Sequence, residues 1–144
     1  MVLSRPCQHA IWVMAVLAKR WASGNRGWAK AKEIADVVGL PVPMTAKVLQ
    51  QLAHAGLLTS SRGQKGGFKL RRLPESITLA EIVGAVDGAE SLSGCVLGLP
   101  QCDDRHPCPL HAHWAKIRQP LLQFLATVRL SDILPAIAIP SGKA

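Results

Sequence analysis

Near the start of the chain, apolar residues fall at Ala10, Val13, Met14 and Leu17, the i, i+3, i+4, i+7 stripe of a helix with one buried face. That spacing predicts a helix over residues 5–22, closed by the loop Ser23-Gly24-Asn25-Arg26-Gly27. The stripe returns at Ala31, Ile34, Ala35 and Val38, with Gly39 where a left-handed cap would sit. It returns again over residues 44–55, through Val48, Leu49 and Leu52. Leu40-Pro41-Val42-Pro43 makes the turn between them rigid, and Pro43 suits the first helical position, where a missing N–H costs nothing. This pattern leaves Thr45, Lys47, Gln50, Gln51 and His54 on the outer face of the third helix. Two short helices across a tight turn form the helix-turn-helix pattern.

Beyond Gly56 the period changes to that of a hairpin. Leu57-Leu58-Thr59-Ser60 and Phe68-Lys69-Leu70 read as strands flanking a glycine-rich tip, Arg62-Gly63-Gln64-Lys65-Gly66-Gly67. Glycines there permit positive φ and close backbone approach, so the segment predicts the wing of a winged helix. The next helix has a capping box in Thr78 and Glu81, with Ile77 and Ile82 at the staple positions. Leu79, Ile82, Val83 and Val86 give its apolar face, and Gly88 ends it. After a loop over residues 89–109, Leu110, Trp114, Ile117, Leu121, Phe124 and Val128 recur at alternating spacings of four and three. That is a short coiled-coil-like seam, which a monomer would expose and a homodimer would bury. Pro120 lies within it and is expected to kink it near Gln119. Residues 130–134 start one more turn, and the apolar tail from Pro135, broken by Pro140 and Gly142, predicts no element.

The fold class is therefore mainly α with a small β-hairpin: a winged helix-turn-helix with a long C-terminal dimerisation helix. The expected divisions are a DNA-binding domain over 1–88, a cysteine loop over 89–112, the dimerisation helix region over 110–134 and a tail over 135–144.

Composition sharpens the choice of partner. The chain has 144 residues, 49% of them hydrophobic, with Lys plus Arg at 17 against 9 Asp plus Glu, hence a net charge of +8. Mean hydropathy is +0.20, enough for a real core, which excludes wholesale disorder. The positive balance suits a polyanion, nucleic acid or an anionic membrane face. The longest apolar run, residues 10–18, is far short of a bilayer span. Only Arg5 precedes it as a basic residue, a poor signal-peptide pattern, so a cytoplasmic protein without a membrane partner is expected.

Four cysteines are too few for a disulfide scaffold, and three of them, Cys95, Cys102 and Cys108, crowd one loop while Cys7 stands apart. In a reducing compartment that points to metal or redox chemistry. Gly98, Pro100 and Pro107 let the loop wrap an ion. His111 follows Cys108 by one helical turn, so both can face one centre. Three thiolates and an imidazole complete a four-ligand set for zinc or for a [2Fe–2S] cluster. His106 is a weaker candidate, and Asp103 and Asp104 read as loop solubilisers. On the duplex side, Lys47 and Gln50 suit guanine and adenine edges, while Thr45, Gln51 and His54 suit phosphates. Arg62, Gln64 and Lys65 in the wing are placed for phosphates or the minor groove.

The wing Arg62-Gly63-…-Gly66-Gly67-Phe68, the preceding Ala55-Gly56-Leu57-Leu58 and the run Cys108-Pro109-Leu110-His111-Ala112-His113-Trp114 resemble the Rrf-two family of bacterial winged-helix regulators, of the IscR and NsrR type. The likeness spans about residues 1–134. It implies a dimeric DNA-binding regulator, here a repressor, whose binding to a near-palindromic operator answers to an iron–sulfur cluster sensing redox state, nitric oxide or iron–sulfur status. The family's three cluster cysteines map onto Cys95, Cys102 and Cys108. Members with a two-iron cluster use a histidine that maps onto His111; members with a four-iron cluster use an acidic residue of the partner subunit. That position here is Gln8, a poor ligand. The departure favours His111 and [2Fe–2S], with [4Fe–4S] through Cys7 or His9 of a second copy as the other possibility. The gap between Cys95 and Cys102 is also one residue longer than the resemblance leads one to expect.

An enzyme is disfavoured: no Ser/His/Asp set, phosphate loop or dinucleotide fingerprint is present, and Glu33, Glu75, Glu81 and Glu90 are scattered. The remaining alternative is a winged helix with a structural zinc or no metal, acting as a thiol sensor or in protein–protein contacts.

Overall fold

In a computed structural model the described residues are 3–88, 90–91 and 93–134, so the expected tail over 135–144 lies outside them. Helix α1 (Arg5–Ala22) starts where Ser4 Oγ accepts from the Cys7 N–H at 3.1 Å. It packs against every other helix of the winged domain and against the wing, which is why its burial extends past the predicted stripe to Ala15, Val16 and Ala18.

Helices α2 (Ala31–Val38) and α3 (Val42–His54) pack on each other and on α1 as the helix-turn-helix. α3 begins two residues before the expected start. Val42 and Pro43 both lie in its first turn, where N–H groups have no partner within the helix and proline forfeits nothing. Val48, Leu49 and Leu52 are buried as expected. Thr45 departs from the expectation: it is fully buried, not on the outer face, and its hydroxyl donates to the Pro41 carbonyl at 3.0 Å. Positions 45, 48, 49 and 52 are one helical stripe, and the back-bond satisfies the hydroxyl inside it.

The wing consists of β1 (Leu58–Ser61) and β2 (Gly67–Leu70), antiparallel, with Leu58 opposite Leu70 and Ser61 opposite Gly67. Ala29, ahead of α2, pairs with Phe68 through two 2.8 Å backbone hydrogen bonds and anchors β2 to the helix-turn-helix. A single turn of 3₁₀ helix, Pro74–Ser76, leads into α4 (Leu79–Asp87). The capping box is complete: the Glu81 N–H donates to Thr78 Oγ1 at 3.2 Å and the Thr78 N–H to Glu81 Oε2 at 3.0 Å. Ile77 and Ile82 are both fully buried, as a staple requires.

Helix α5 (His111–Thr127) runs unbroken through Pro120, and α6 (Leu130–Ile133) is the further turn. The chain then folds back on the domain. The Leu79 N–H donates to Val128 O at 3.0 Å and the Leu130 N–H to Ile77 O at 2.8 Å, while Leu125 and Leu130 join the core. The seam predicted for dimerisation divides: Leu110, Ile117 and Phe124 are 42%, 62% and 51% exposed, whereas Trp114 is half-buried and Leu121 and Val128 pack against the protomer's own core. No helix among the described residues is long and apolar enough to cross a membrane.

Candidate metal centre and nucleic-acid interface

The cysteine loop is tied to α5 before it reaches any ligand. Trp114 Nε1 donates to Gly94 O at 2.9 Å and Arg118 Nη1 to Ser93 O at 2.9 Å, which holds Cys95 beside the first turn of α5. Downstream, Asp103 Oδ1 accepts from the Arg105 and His106 N–H groups at 2.9 and 2.8 Å, turning the chain back toward Cys108. The His111 N–H then bonds Cys108 O at 3.0 Å as α5 begins.

These turns bring the predicted ligands together. Cys108 Sγ lies 3.7 Å from Cys95 Sγ and 3.4 Å from Cys102 Sγ, and all three sulfurs fall within 4.8 Å of one another. His111 Nδ1 stands 3.3 Å from Cys102 Sγ. Cys108 and His111 are buried, whereas Cys95 and Cys102 are half-buried, so the group opens to solvent on one side. Two sulfurs on one tetrahedral metal at about 2.3 Å sit about 3.8 Å apart, and a sulfur and an imidazole nitrogen about 3.5 Å. The three thiols match that scale and fit a bound metal, and His111 Nδ1 stands beside one of them, Cys102, without belonging to the group that closes within 4.8 Å. His106 is turned away to Asp103, at 3.3 Å.

The thiols do not share one acidity. Partial burial pushes Cys95 up, but the Leu99 and Leu97 N–H groups and the Cys102 and Cys108 thiols outweigh it and bring Cys95 to about 7. For Cys102 the Cys108 backbone N–H pulls down, yet burial and the adjacent thiols push it above the ordinary thiol range. Packed sulfurs resist ionising together, and a cation relieves that resistance by displacing their protons.

The residues considered as ligands from a second copy are placed differently. Cys7 is fully buried in its own protomer, and burial, with Asp87 nearby, pushes its thiol up to about 11. It is therefore a core residue of its own protomer. His9 is 6% exposed, and burial, with Arg5 nearby, lowers its pKa. Its Nδ1 has no hydrogen-bond partner among the described residues. Gln8 is half-buried.

On α3, Lys47 and Gln50 are exposed and Gln51 is half-buried. Lys47 and Gln51 also line a cavity of about 630 Å³ shared with Arg5, His9 and Asp87, which leaves Gln50 standing free on the outer ridge. In the wing, Arg62, Gln64 and Lys65 are all exposed. Three features have no counterpart in the sequence pattern. Lys30 Nζ donates to Gly63 O at 2.6 Å, pinning the wing tip to the helix-turn-helix. Lys69 Nζ lies 4.3 Å over the Trp28 ring at the wing base. Asp104 is no mere solubiliser: its Oδ1 is 3.1 Å from His111 Nε2.

The fold and these surfaces define a winged-helix DNA-binding protein with a cysteine-rich ligand group at the start of its last long helix. The Rrf2 family, described as an iron-dependent transcriptional regulator, matches residues 3–136, and the chain belongs to it. The chain is 28% identical to the transcriptional regulator IscR of Klebsiella pneumoniae (strain 342), over 93% of this chain and 80% of that protein. It is 27% identical to the transcriptional repressor NsrR of Streptomyces coelicolor, over 77% of this chain and 72% of the repressor. Among solved structures, T. potens IscR superposes with a TM-score of 0.69 at 25% identity, covering 92% of this chain and 85% of that one. CymR, the global cysteine regulator of B. subtilis, shares the fold with a TM-score of 0.72 at 24% identity, covering 94% and 98%. The chain is thus a transcriptional regulator of a DNA-binding family, not an enzyme.

Proposed function

We propose that this chain is a homodimeric repressor whose operator binding is set by a [2Fe–2S] cluster held by Cys95, Cys102, Cys108 and His111. The observation that supports it is the convergence of three thiols, with the His111 imidazole 3.3 Å from one of them, from a loop and a helix start, in a family described as iron-dependent. When bound, the cluster would supply iron that oxidants or nitric oxide attack; half-buried Cys95 and Cys102 leave that side open. The chain's own residues carry the consequence. Ligation orders the loop, the loop is tied to α5 through Trp114 and Arg118, and α5 is tied to the winged domain through Val128 and Leu130. A change of loop order therefore bears on the spacing of two recognition helices across a dimer built on the Leu110, Ile117 and Phe124 face. Those helices would enter the major groove with Lys47, Gln50 and Gln51, and Arg62, Gln64 and Lys65 would hold phosphates or the minor groove. Two such modules require a near-palindromic site with half-sites about one helical turn apart. A DNA-binding role of this kind is exercised in the cytoplasm.

A second reading has its own support. Cys108 Sγ lies 3.4 and 3.7 Å from the other two sulfurs and all three fall within 4.8 Å, a grouping that suits one zinc, whereas two irons would divide the ligands into two pairs. Such a centre, or the bare thiols, would act as a structural staple or thiol sensor. Anaerobic purification followed by iron, sulfide and zinc analysis separates the readings. Brown protein with sulfur-to-iron absorption and tighter or looser DNA retention than its cluster-free form supports the first. Colourless protein with one zinc per chain, or equal retention with and without the cluster, overturns it.

A further inference from the structure

The two nitrogens of His111 face different partners. Nδ1 looks into the sulfur group, 3.3 Å from Cys102 Sγ, and Nε2 looks out at Asp104 Oδ1, 3.1 Å away. A neutral imidazole carries one proton, and only the nitrogen without it can ligate a metal. An ionised carboxylate only accepts hydrogen bonds, so Asp104 stabilises the form with hydrogen on Nε2 and leaves the Nδ1 lone pair toward the thiols. We propose that Asp104 is a positioning residue that fixes the His111 tautomer and aims Nδ1 at the metal.

The inference rests on the proposed metal site and adds to it the choice of nitrogen and the residue that makes it. The neighbouring acid shows the difference in role. Asp103 accepts from two backbone N–H groups, which shapes the loop, and its imidazole neighbour is the exposed His106, 3.3 Å away, rather than a residue of the sulfur group. Asp104 has a fully exposed side chain whose partner is His111, itself only 10% exposed at its side chain. The turn at Asp103 is what lifts Asp104 over the imidazole. Substitution of Asp104 consequently removes one hydrogen bond and no packing.

The test uses the reduced, metal-free full chain and two variants. Long-range proton–nitrogen NMR reads the His111 tautomer directly: the wild type should show hydrogen on Nε2. Asp104→Ala should shift the ring toward a mixture, and Asp104→Asn, which keeps an acceptor oxygen, should restore the wild-type form. Added cobalt(II), followed by its thiolate charge-transfer absorption, should bind Asp104→Ala about 10–100-fold more weakly. Asp104→Asn should fall between. If the wild type develops no thiolate–cobalt band, the metal-site reading fails. If it does, and Asp104→Ala matches it in both tautomer and affinity, the role of Asp104 is refuted while the site stands.

Discussion

A β-carbon on Gly67 would lie 2.4 Å from the carbonyl oxygen of Ala29, closer than any real contact, and Gly67 itself has φ of +143°. The wing is thus docked by backbone against backbone, and no side chain can replace the hydrogen at that position. Gly67→Ala should cost about 3 kcal/mol, from clash and backbone strain together. Gly63→Ala is the control, since Gly63 also has positive φ, +93°, but open space around it. That variant should lose only about 1 kcal/mol. Urea unfolding of both variants checks the contrast, and equal losses would mean the Ala29 contact is not what demands glycine.

Arg62 and Lys65 flank Gly63 on an exposed tip that Lys30 steadies from below. If they hold phosphates, each should release about one counterion when it binds. Arg62→Ala and Lys65→Ala should each weaken binding to any duplex and reduce the slope of log affinity against log salt by about 1. Gln50→Ala should instead cost about 1–3 kcal/mol at one base position and leave that slope alone. Fluorescence anisotropy across a salt series distinguishes the two patterns. An unchanged slope in the arginine variant contradicts the phosphate assignment.

Glu81 links the α4 cap to Arg72, 2.8 Å away, with the two side chains 39% and 38% exposed. Burial raises its pKa, but the hydrogen bond from Arg72, the Thr78 N–H, and the charges of Arg72 and Arg129 outweigh that, and the net shift is downward. A carboxyl that is more acidic in the folded state contributes stability above its unfolded pKa and loses it as pH falls through the folded value. The wild type should therefore exceed Glu81→Gln by about 1 kcal/mol or less at neutral pH, given the exposure of the pair. The gap should close as pH drops below the usual carboxylate range. Denaturation of both proteins across that range measures it, and a gap that widens toward acid would reverse the assigned sign.

The pattern of apolar spacing carries the helix limits of α1, the cap of α4 and the wing because each is a local signal repeated over several residues. Thr45 is misplaced by that pattern for a local reason too: it completes the stripe of Val48, Leu49 and Leu52, but its hydroxyl reads as polar until the bond to Pro41 is seen. Ala29 contributes one bridge to the sheet, too short to have any period. The proposed ligands can be named from cysteine spacing and the family likeness. Asp104 cannot, because its partner is fixed by the turn at Asp103 rather than by any spacing along the chain.

Helix α5 presents two apolar faces with opposite fates, and they separate dimerisation from folding. Leu125 is 2% exposed and packs with α4, while Ile117 is 62% exposed on the face shared with Leu110 and Phe124. Leu125→Ala removes buried atoms and should destabilise the protomer by about 2–5 kcal/mol. Ile117→Glu touches little of the protomer, so its melting should change only through lost association. If the exposed face is the dimer seam, the wild type should sediment as a dimer and Ile117→Glu as a folded monomer, because a charge placed in that seam must be desolvated without a partner. A monomer presents one recognition helix, so Ile117→Glu should retain half-site binding and lose the added affinity of a palindrome. Circular dichroism reports the fold, sedimentation the assembly and anisotropy on half and full sites the binding. A folded Ile117→Glu that still sediments as a dimer would place the seam elsewhere and remove the route by which the cysteine loop is coupled to operator spacing.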